Sequence, residues 1–149
     1  QVTLPNYKAL PRAKATVGTH LLEVEGADPV ELTIQHLDLL RRTSAEDKAP
    51  QKIAQYITGK WIGEDGSFRE DPQPFLHHGE PIELSEFVIE QACYLEIATL
   101  NPKIDVETWL TISCVDPHAF LAASAAMWEL TEQEKKANQG KKKGSPTKT

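Results

Sequence analysis

Apolar residues recur at helical spacing along most of the chain beyond residue 33. The strongest such segment follows Ser85, where apolar side chains surround almost the whole helix and Ser85 can cap its first turn. A helix with so much apolar surface is buried by several neighbours. The pattern therefore predicts a mainly α-helical fold, with about five helices around one core. The predicted helices span residues 33–43, 50–61, 85–100, 105–114 and 117–136.

Breaks in the pattern set the predicted helix boundaries. Thr33 is a suitable cap for the first helix, and the segment 44–50 predicts either a loop or the capped entry to the second helix. Asn101 precedes a proline and ends the central helix, because a residue before proline avoids the helical region. Asp105 is a suitable cap for the fourth helix. Asp116 followed by Pro117 combines an N-cap with proline at the first helical position, which predicts the start of the last helix.

Two segments have the features of β structure. The residues from Thr16 to Glu25 predict one short strand or hairpin near the N-terminus. An isolated hairpin is marginally stable, so this element must pack on a helix or pair with another chain. The Asp65-Gly66 pair is typical of a type I′ turn and predicts a second, solvent-facing hairpin.

The predicted core takes apolar residues from every predicted helix. In the last helix, small residues from position 122 to 126 allow a neighbouring helix to approach closely. The predicted core residues are Ile34, Leu37, Ile53, Ile57, Trp61, Phe87, Cys93, Leu95, Trp109, Leu110, Phe120 and Trp128.

Composition divides the chain into three parts. Residues 1–15 contain Pro5 and Pro11 and predict an extended arm, residues 16–136 form the helical domain, and residues 137–149 predict a disordered lysine-rich tail. Six lysines follow Glu134, which leaves ten basic and 22 acidic residues before them, a formal charge of −12. This acidic body repels nucleic acid. A polyanion is therefore expected to contact the chain only through the tail, at Lys141, Lys142 and Lys143.

The expected location is the cytoplasm. No apolar run approaches the roughly 18 residues that a membrane span needs, and the first ten residues lack the features of a secretion signal. Two cysteines, Cys93 and Cys114, are too few for a disulfide framework and fit a reducing compartment.

Three groups of residues are candidates for catalysis or metal binding, and each is better explained as a structural feature. His77 and His78 near Glu80 have no third ligand at a recognisable spacing, so exposed loop residues are the preferred interpretation over a metal site. A Cys93–His118 pair is disfavoured as nucleophile and base, because an apolar helix disfavours the Cys93 thiolate. The acidic residues around Asp65 are interpreted as a solvated loop rather than a glycosidase-type pair. With no catalytic motif found, the sequence favours a non-enzyme that uses no metal, cofactor or small-molecule substrate.

The order of elements resembles that of the tail assembly chaperones, small tail-morphogenesis proteins of tailed bacteriophages. The resemblance covers about Thr19 to Asn101. It consists of a β-like stretch at residues 20–24, a helix opened by residues 31–33, the turn at residues 61–68, and a helix that closes on residues 98–101. It extends neither to the helix from Pro117 nor to the lysine tail, and it transfers no site residue.

The resemblance implies a binding role, in the host cytoplasm or the virion. Such chaperones keep the long helical tape-measure protein soluble while the tail tube forms. The resemblance also implies that the segment from Val2 to about Leu22 pairs with a neighbouring copy by strand addition. The alternatives are a structural virion component locked by its arm, and an auxiliary subunit of a nucleoprotein complex that uses its basic tail. The residues expected to contact a protein partner are Leu4, Tyr7, Leu10, Val17, Leu21, Leu22, Trp61 and Phe68.

Overall fold

The computed structural model describes the backbone of residues 2–144 and the side chains of residues 2–137. Within that range the chain forms four α-helices and seven short strands in three small sheets. The prediction of a mainly α-helical fold is therefore wrong, and the fold is mixed α/β. The helices are α1 Leu39–Ile53, α2 Glu86–Ala98, α3 Val106–Val115 and α4 Pro117–Gly144, and the strands are β1 Val17–Leu22, β2 Val30–Gln35, β3 Trp61–Ile62, β4 Phe68–Arg69, β5 Phe75–His77, β6 Glu80–Ile82 and β7 Thr99–Asn101.

The segment predicted to open the first helix is instead the middle strand of an antiparallel sheet with the order β1–β2–β7. In β2 the apolar residues Val30, Leu32 and Ile34 alternate with polar residues, which is the period of a strand. Six residues of β2 pair with β1, and β7 pairs with the other side of β2. The strand predicted between Thr16 and Glu25 is confirmed as β1.

Helix α1 joins the two helices that the sequence predicted separately. Its cap is Asp38 rather than Thr33, which lies in β2, and Asp38 Oδ1 accepts a hydrogen bond from the Arg41 N–H at 2.8 Å. The helix then runs through residues 44–50, where the sequence predicted a loop or a helix entry, with Pro50 inside it. Proline removes one helical hydrogen bond, and the helix nevertheless continues past Pro50 to Ile53.

A π-helical turn, Ala54–Thr58, extends α1 and ends at Gly59. Gly59 has a φ of +106°, and a Cβ there would lie 3.1 Å from the carbonyl oxygen of Glu70, so both the backbone and the packing require glycine. The Gln73 N–H donates to the carbonyl oxygen of Gln55 at 2.7 Å. The hairpin formed by β3 and β4 is thereby held at the C-terminal end of α1.

The last three helices begin at the predicted caps. The side chains of Ser85, Asp105 and Asp116 each accept a hydrogen bond from the backbone N–H three residues further on. Helix α2 ends at Ala98, earlier than predicted, because the next three residues form β7. Helix α4 continues to Gly144, whereas the sequence predicted disorder from residue 137 onwards. Residues 145–149 of that predicted tail lie outside the described residues.

The core lies between the four helices and the three-stranded sheet. Seven of the predicted core residues are buried, and Ile53, Ile57 and Trp128 are partly buried against them. Phe87 was assigned to the core wrongly, since its side chain is 57% exposed on α2. Trp61 is half-buried in the hairpin and does not belong to the core cluster. The seven buried residues are Ile34, Leu37, Cys93, Leu95, Trp109, Leu110 and Phe120.

The two short hairpins use different turns. In the β3–β4 hairpin the Gly66 N–H donates to the carbonyl oxygen of Gly63 at 2.9 Å. Gly66 has a positive φ of 81°, but Asp65 does not, so the predicted type I′ turn is wrong although the hairpin is present. Positive φ at two successive residues, the requirement for type I′, occurs instead between β5 and β6, at His78 and Gly79.

Candidate functional site

Strand β1 lies at the edge of its sheet, and among the described residues no strand pairs with its outer side. Leu22 on one face is buried, and a Cβ at Gly18 would lie 3.3 Å from Cδ1 of Leu130 on α4. On the opposite face Val17 and Leu21 are 49% and 50% exposed. An open strand edge beside exposed apolar side chains is a template for pairing with another chain.

The arm, residues 2–15, leads directly into this edge. Its apolar side chains Val2, Leu4, Tyr7 and Leu10 are all exposed. One 3-10 turn, Tyr7–Ala9, interrupts an otherwise irregular segment. The arm therefore presents apolar surface that the described part of its own chain leaves uncovered.

Thr16 anchors the arm to the body of the protein. Its N–H donates to Nδ1 of the buried His36 at 2.9 Å, and its carbonyl oxygen accepts from the His36 N–H at 2.9 Å. Its hydroxyl also donates to the carboxylate of Glu134 on α4. These bonds hold the base of the arm between β2 and α4.

One predicted contact residue is not available to a partner. Leu22 is only 5% exposed, because it lies on the face of β1 that packs on the core. The other predicted contacts from the N-terminal region lie together on the arm and the outer face of β1. Lys141, Lys142 and Lys143 lie in the last turns of α4, and their side chains lie outside the described range.

The remaining predicted contacts, Trp61 and Phe68, lie on the β3–β4 hairpin. Phe68 is exposed, whereas Trp61 donates from Nε1 to the carbonyl oxygen of Asp71 at 2.8 Å. The Arg69 guanidinium lies 5.4 Å from the centre of the Trp61 ring, a cation–π contact. Asp65 accepts hydrogen bonds from the hydroxyl and the N–H of Ser67, and these bonds lower the pKa of its carboxyl. The hairpin is thus a hydrogen-bonded loop with an acidic rim.

A cleft of about 640 Å³ separates the arm from the start of α1 and from α4. No local sequence pattern predicts this cleft, because its cations come from three segments that are distant in the sequence. The apolar side chain of Leu39, 75% exposed, also lines it. Its basic lining residues are Arg12, Lys14, Arg41, Arg42 and Lys135.

No protein-family model, curated protein or solved structure matches this chain. Its function is therefore inferred from these surfaces.

The remaining candidates for catalysis or metal binding are the histidines of the β5–β6 hairpin and Cys93 of α2. The ring centroids of His77 and His78 lie 4.3 Å apart. The described residues contain no group of three or more side chains arranged to hold a metal ion. Burial raises the pKa of the Cys93 thiol to about 11, so Cys93 is protonated at neutral pH and is a poor nucleophile.

In the part of the chain that the structure describes, no helix combines the length and the apolar character needed to cross a bilayer.

Proposed function

We propose that this protein is a non-enzymatic assembly module whose N-terminal arm and β1 edge bind a second copy of the chain. The observation behind the proposal is the continuity of two features. In the sequence, the exposed apolar residues of the arm are followed by β1, which has an exposed apolar face, represented by Leu21, and an unpaired edge. Strand addition supplies main-chain hydrogen bonds, and side chains on alternate positions supply packing.

The distribution of charge favours a second copy as the partner. Residues 1–16 contain Lys8, Arg12 and Lys14 and no acidic residue, a formal charge of +3. Residues 17–134 contain seven basic and all 22 acidic residues, a formal charge of −15. A basic arm is attracted to the acidic body of a neighbouring copy, which speeds encounter and selects orientation.

The resemblance to tail assembly chaperones stays a prediction. One of the elements on which it rests, a helix opened by residues 31–33, is β2 in the structure. A chaperone would bind a long helical client in addition to its own copies. The closest alternative, a structural virion component, would use the same arm to lock neighbouring subunits.

The proposal can be tested by a lysine substitution on the edge strand. Natural edge strands use lysine to prevent pairing, so Leu21→Lys should disrupt strand addition. Leu121→Lys is the matched control, because Leu121 is 49% exposed on α4, almost the same as Leu21. Light scattering after size-exclusion chromatography measures the mass of each variant, and circular dichroism checks that each is folded.

We expect the wild type and Leu121→Lys to form the same oligomer, and Leu21→Lys to shift toward the monomer. An oligomer that persists in folded Leu21→Lys protein would refute the role of the β1 edge.

A further inference from the structure

We infer that an acidic hairpin on one copy of this protein docks into a basic cleft on the next copy, so that the chains assemble head to tail. The acidic hairpin is residues 61–71, and the basic cleft is the space lined by Arg12, Lys14, Arg41, Arg42 and Lys135. The inference rests on the proposed function, self-association, and adds a contact that is separate from the β1 edge.

The basic cleft concentrates positive charge that the protein neutralises only in part. Among the described residues, Arg42 pairs with Glu46 at 3.6 Å, but Arg12 and Lys14 form no ion pair. Arg41 is held in place by a hydrogen bond from Nη1 to the carbonyl oxygen of Ile97 at 2.9 Å. Like charges around one cleft repel each other, and an acidic guest would relieve that repulsion.

The acidic hairpin has the complementary charge. Its four carboxylates and the single cation Arg69 give it a formal charge of −3. Arg69 is already engaged by the Trp61 ring and by Asp65, whose Oδ2 lies 3.7 Å away. The four carboxylates belong to Glu64, Asp65, Glu70 and Asp71, and all four residues are exposed.

Apolar side chains accompany the charge on both surfaces. Ile62 and Phe68 are exposed on the hairpin, and Leu39 is exposed in the cleft. An interface that combines an apolar centre with charged surroundings is typical of specific protein–protein contacts. The only aromatic ring among the described lining residues is that of His36, which is buried and bonded to Thr16 and so offers no platform for a nucleic-acid base. Asp38 and Glu134 also line the cleft, so a protein partner fits better than a phosphate backbone.

The two surfaces lie at opposite ends of the same helix. Leu39 and Arg41 belong to the first turn of α1, whereas the hairpin starts just after the π-helical turn that ends at Thr58. Twenty helical residues span about 30 Å at 1.5 Å per residue. A hairpin at one end therefore cannot reach the cleft of its own chain. Contacts between different surfaces of identical chains produce closed rings or open filaments.

A charge exchange between two variants tests the inference. Arg12→Glu with Lys14→Glu makes the cleft acidic, and Glu70→Lys with Asp71→Lys makes the hairpin basic. All four residues are exposed, so both double variants should fold. Two controls carry the same charge changes elsewhere on the surface, Lys103→Glu with Lys136→Glu and Glu23→Lys with Glu83→Lys, and all four residues are exposed. Sedimentation velocity at low salt measures self-association.

Each double variant alone should associate at least about tenfold more weakly than the wild type, because like charges face each other at the contact. An equimolar mixture of the two should associate as the wild type does, since each altered cleft then meets an oppositely charged hairpin. The controls should match the wild type. Raising the salt from about 0.05 M to about 0.5 M should weaken the contact, because salt screens exposed charges.

A mixture that fails to recover association would overturn the head-to-tail contact. If the mixture fails to recover association but the Leu21→Lys variant is still shifted toward the monomer, the proposed function stands without the head-to-tail contact. A wild-type protein that is monomeric under all conditions would overturn both.

Discussion

Thr16 and His36 exchange two hydrogen bonds of 2.9 Å, one from the Thr16 N–H to the His36 ring and one from the His36 N–H to the Thr16 carbonyl oxygen. The exchange extends the pairing of β1 with β2 by one position, because Val17 already lies opposite Gln35. His36 is 8% exposed, so its ring is a fixed acceptor at the base of the arm. The position at which the arm leaves the sheet is therefore set by the body of the protein.

We expect His36→Leu to release the base of the arm. The substitution leaves the Thr16 N–H without its acceptor, so hydrogen exchange at Thr16 should speed up by about tenfold, which corresponds to about 1.4 kcal/mol, within the usual cost of a lost hydrogen bond. His118→Leu, at an exposed position on α4, serves as the control. Unchanged exchange at Thr16 in the His36 variant would show that the arm is not anchored by this bond.

Leu95 lies on the buried face of α2, and Phe87 lies on its exposed face. Leu95 is fully buried, so Leu95→Ala should lower the free energy of unfolding by about 2–5 kcal/mol. Phe87→Ala should change it by less than about 0.5 kcal/mol, because the side chain is largely exposed. Urea denaturation measures both values. A larger loss of stability for Phe87→Ala than for Leu95→Ala would mean that α2 is rotated relative to the core.

The cap of α3 should make stability depend on pH. Hydrogen bonds from the side chain and the N–H of Thr108 lower the pKa of Asp105 below its usual value of 3.8. The ionised carboxylate therefore contributes stability above about pH 3.8 that is lost as the pH falls through the lower pKa of the folded state. Asp105→Asn keeps the hydrogen-bond acceptor and removes the charge.

At pH 7 the Asp105→Asn variant should be about 0.5 kcal/mol less stable than the wild type, a value typical of a carboxylate at a helix N-terminus. The difference should shrink toward zero in acid. Chemical denaturation at pH 7 and at about pH 2.5 provides the comparison. A difference that stays constant with pH would exclude the charge as its source.

The two cysteines should differ in reactivity. Cys93 is buried with a raised pKa of about 11, whereas Cys114 is partly exposed on α3. Iodoacetamide alkylates the thiolate, so Cys114 should be labelled first in the folded protein, and Cys93 only after unfolding. Mass spectrometry after digestion gives the labelling order. Rapid labelling of Cys93 would indicate that α2 opens readily.

The helix starts could be predicted because their causes are local. A cap such as Asp105 needs only its own side chain and an N–H three residues away. The start of the first helix could not be placed in the same way, because two periods overlap there. Ile34, Leu37 and Leu40 have helical spacing, while Leu32 and Ile34 alternate as in a strand. Pairing with β1 and β7, which is distant in sequence, decides in favour of the strand.

The candidate site was predictable where exposure follows from the local sequence. The arm contains two prolines near its apolar residues, and no local partner covers those residues. Leu21 and Leu22 are adjacent, and only the packing of β1 on the core determines which of the two is exposed. The basic cleft depends on the tertiary approach of Lys14, Arg42 and Lys135, so no local pattern reveals it.

The most direct test of the central claim compares the mass of the full chain in solution with that of a chain that begins at Arg12. This truncation removes the exposed apolar residues of the arm but keeps Thr16 and the lining of the basic cleft. Light scattering over a range of concentrations should give a multiple of 16.6 kDa for the full chain and a smaller mass for the truncated chain at the same concentration. A mass of 16.6 kDa for the full chain at every concentration would contradict assembly through the arm.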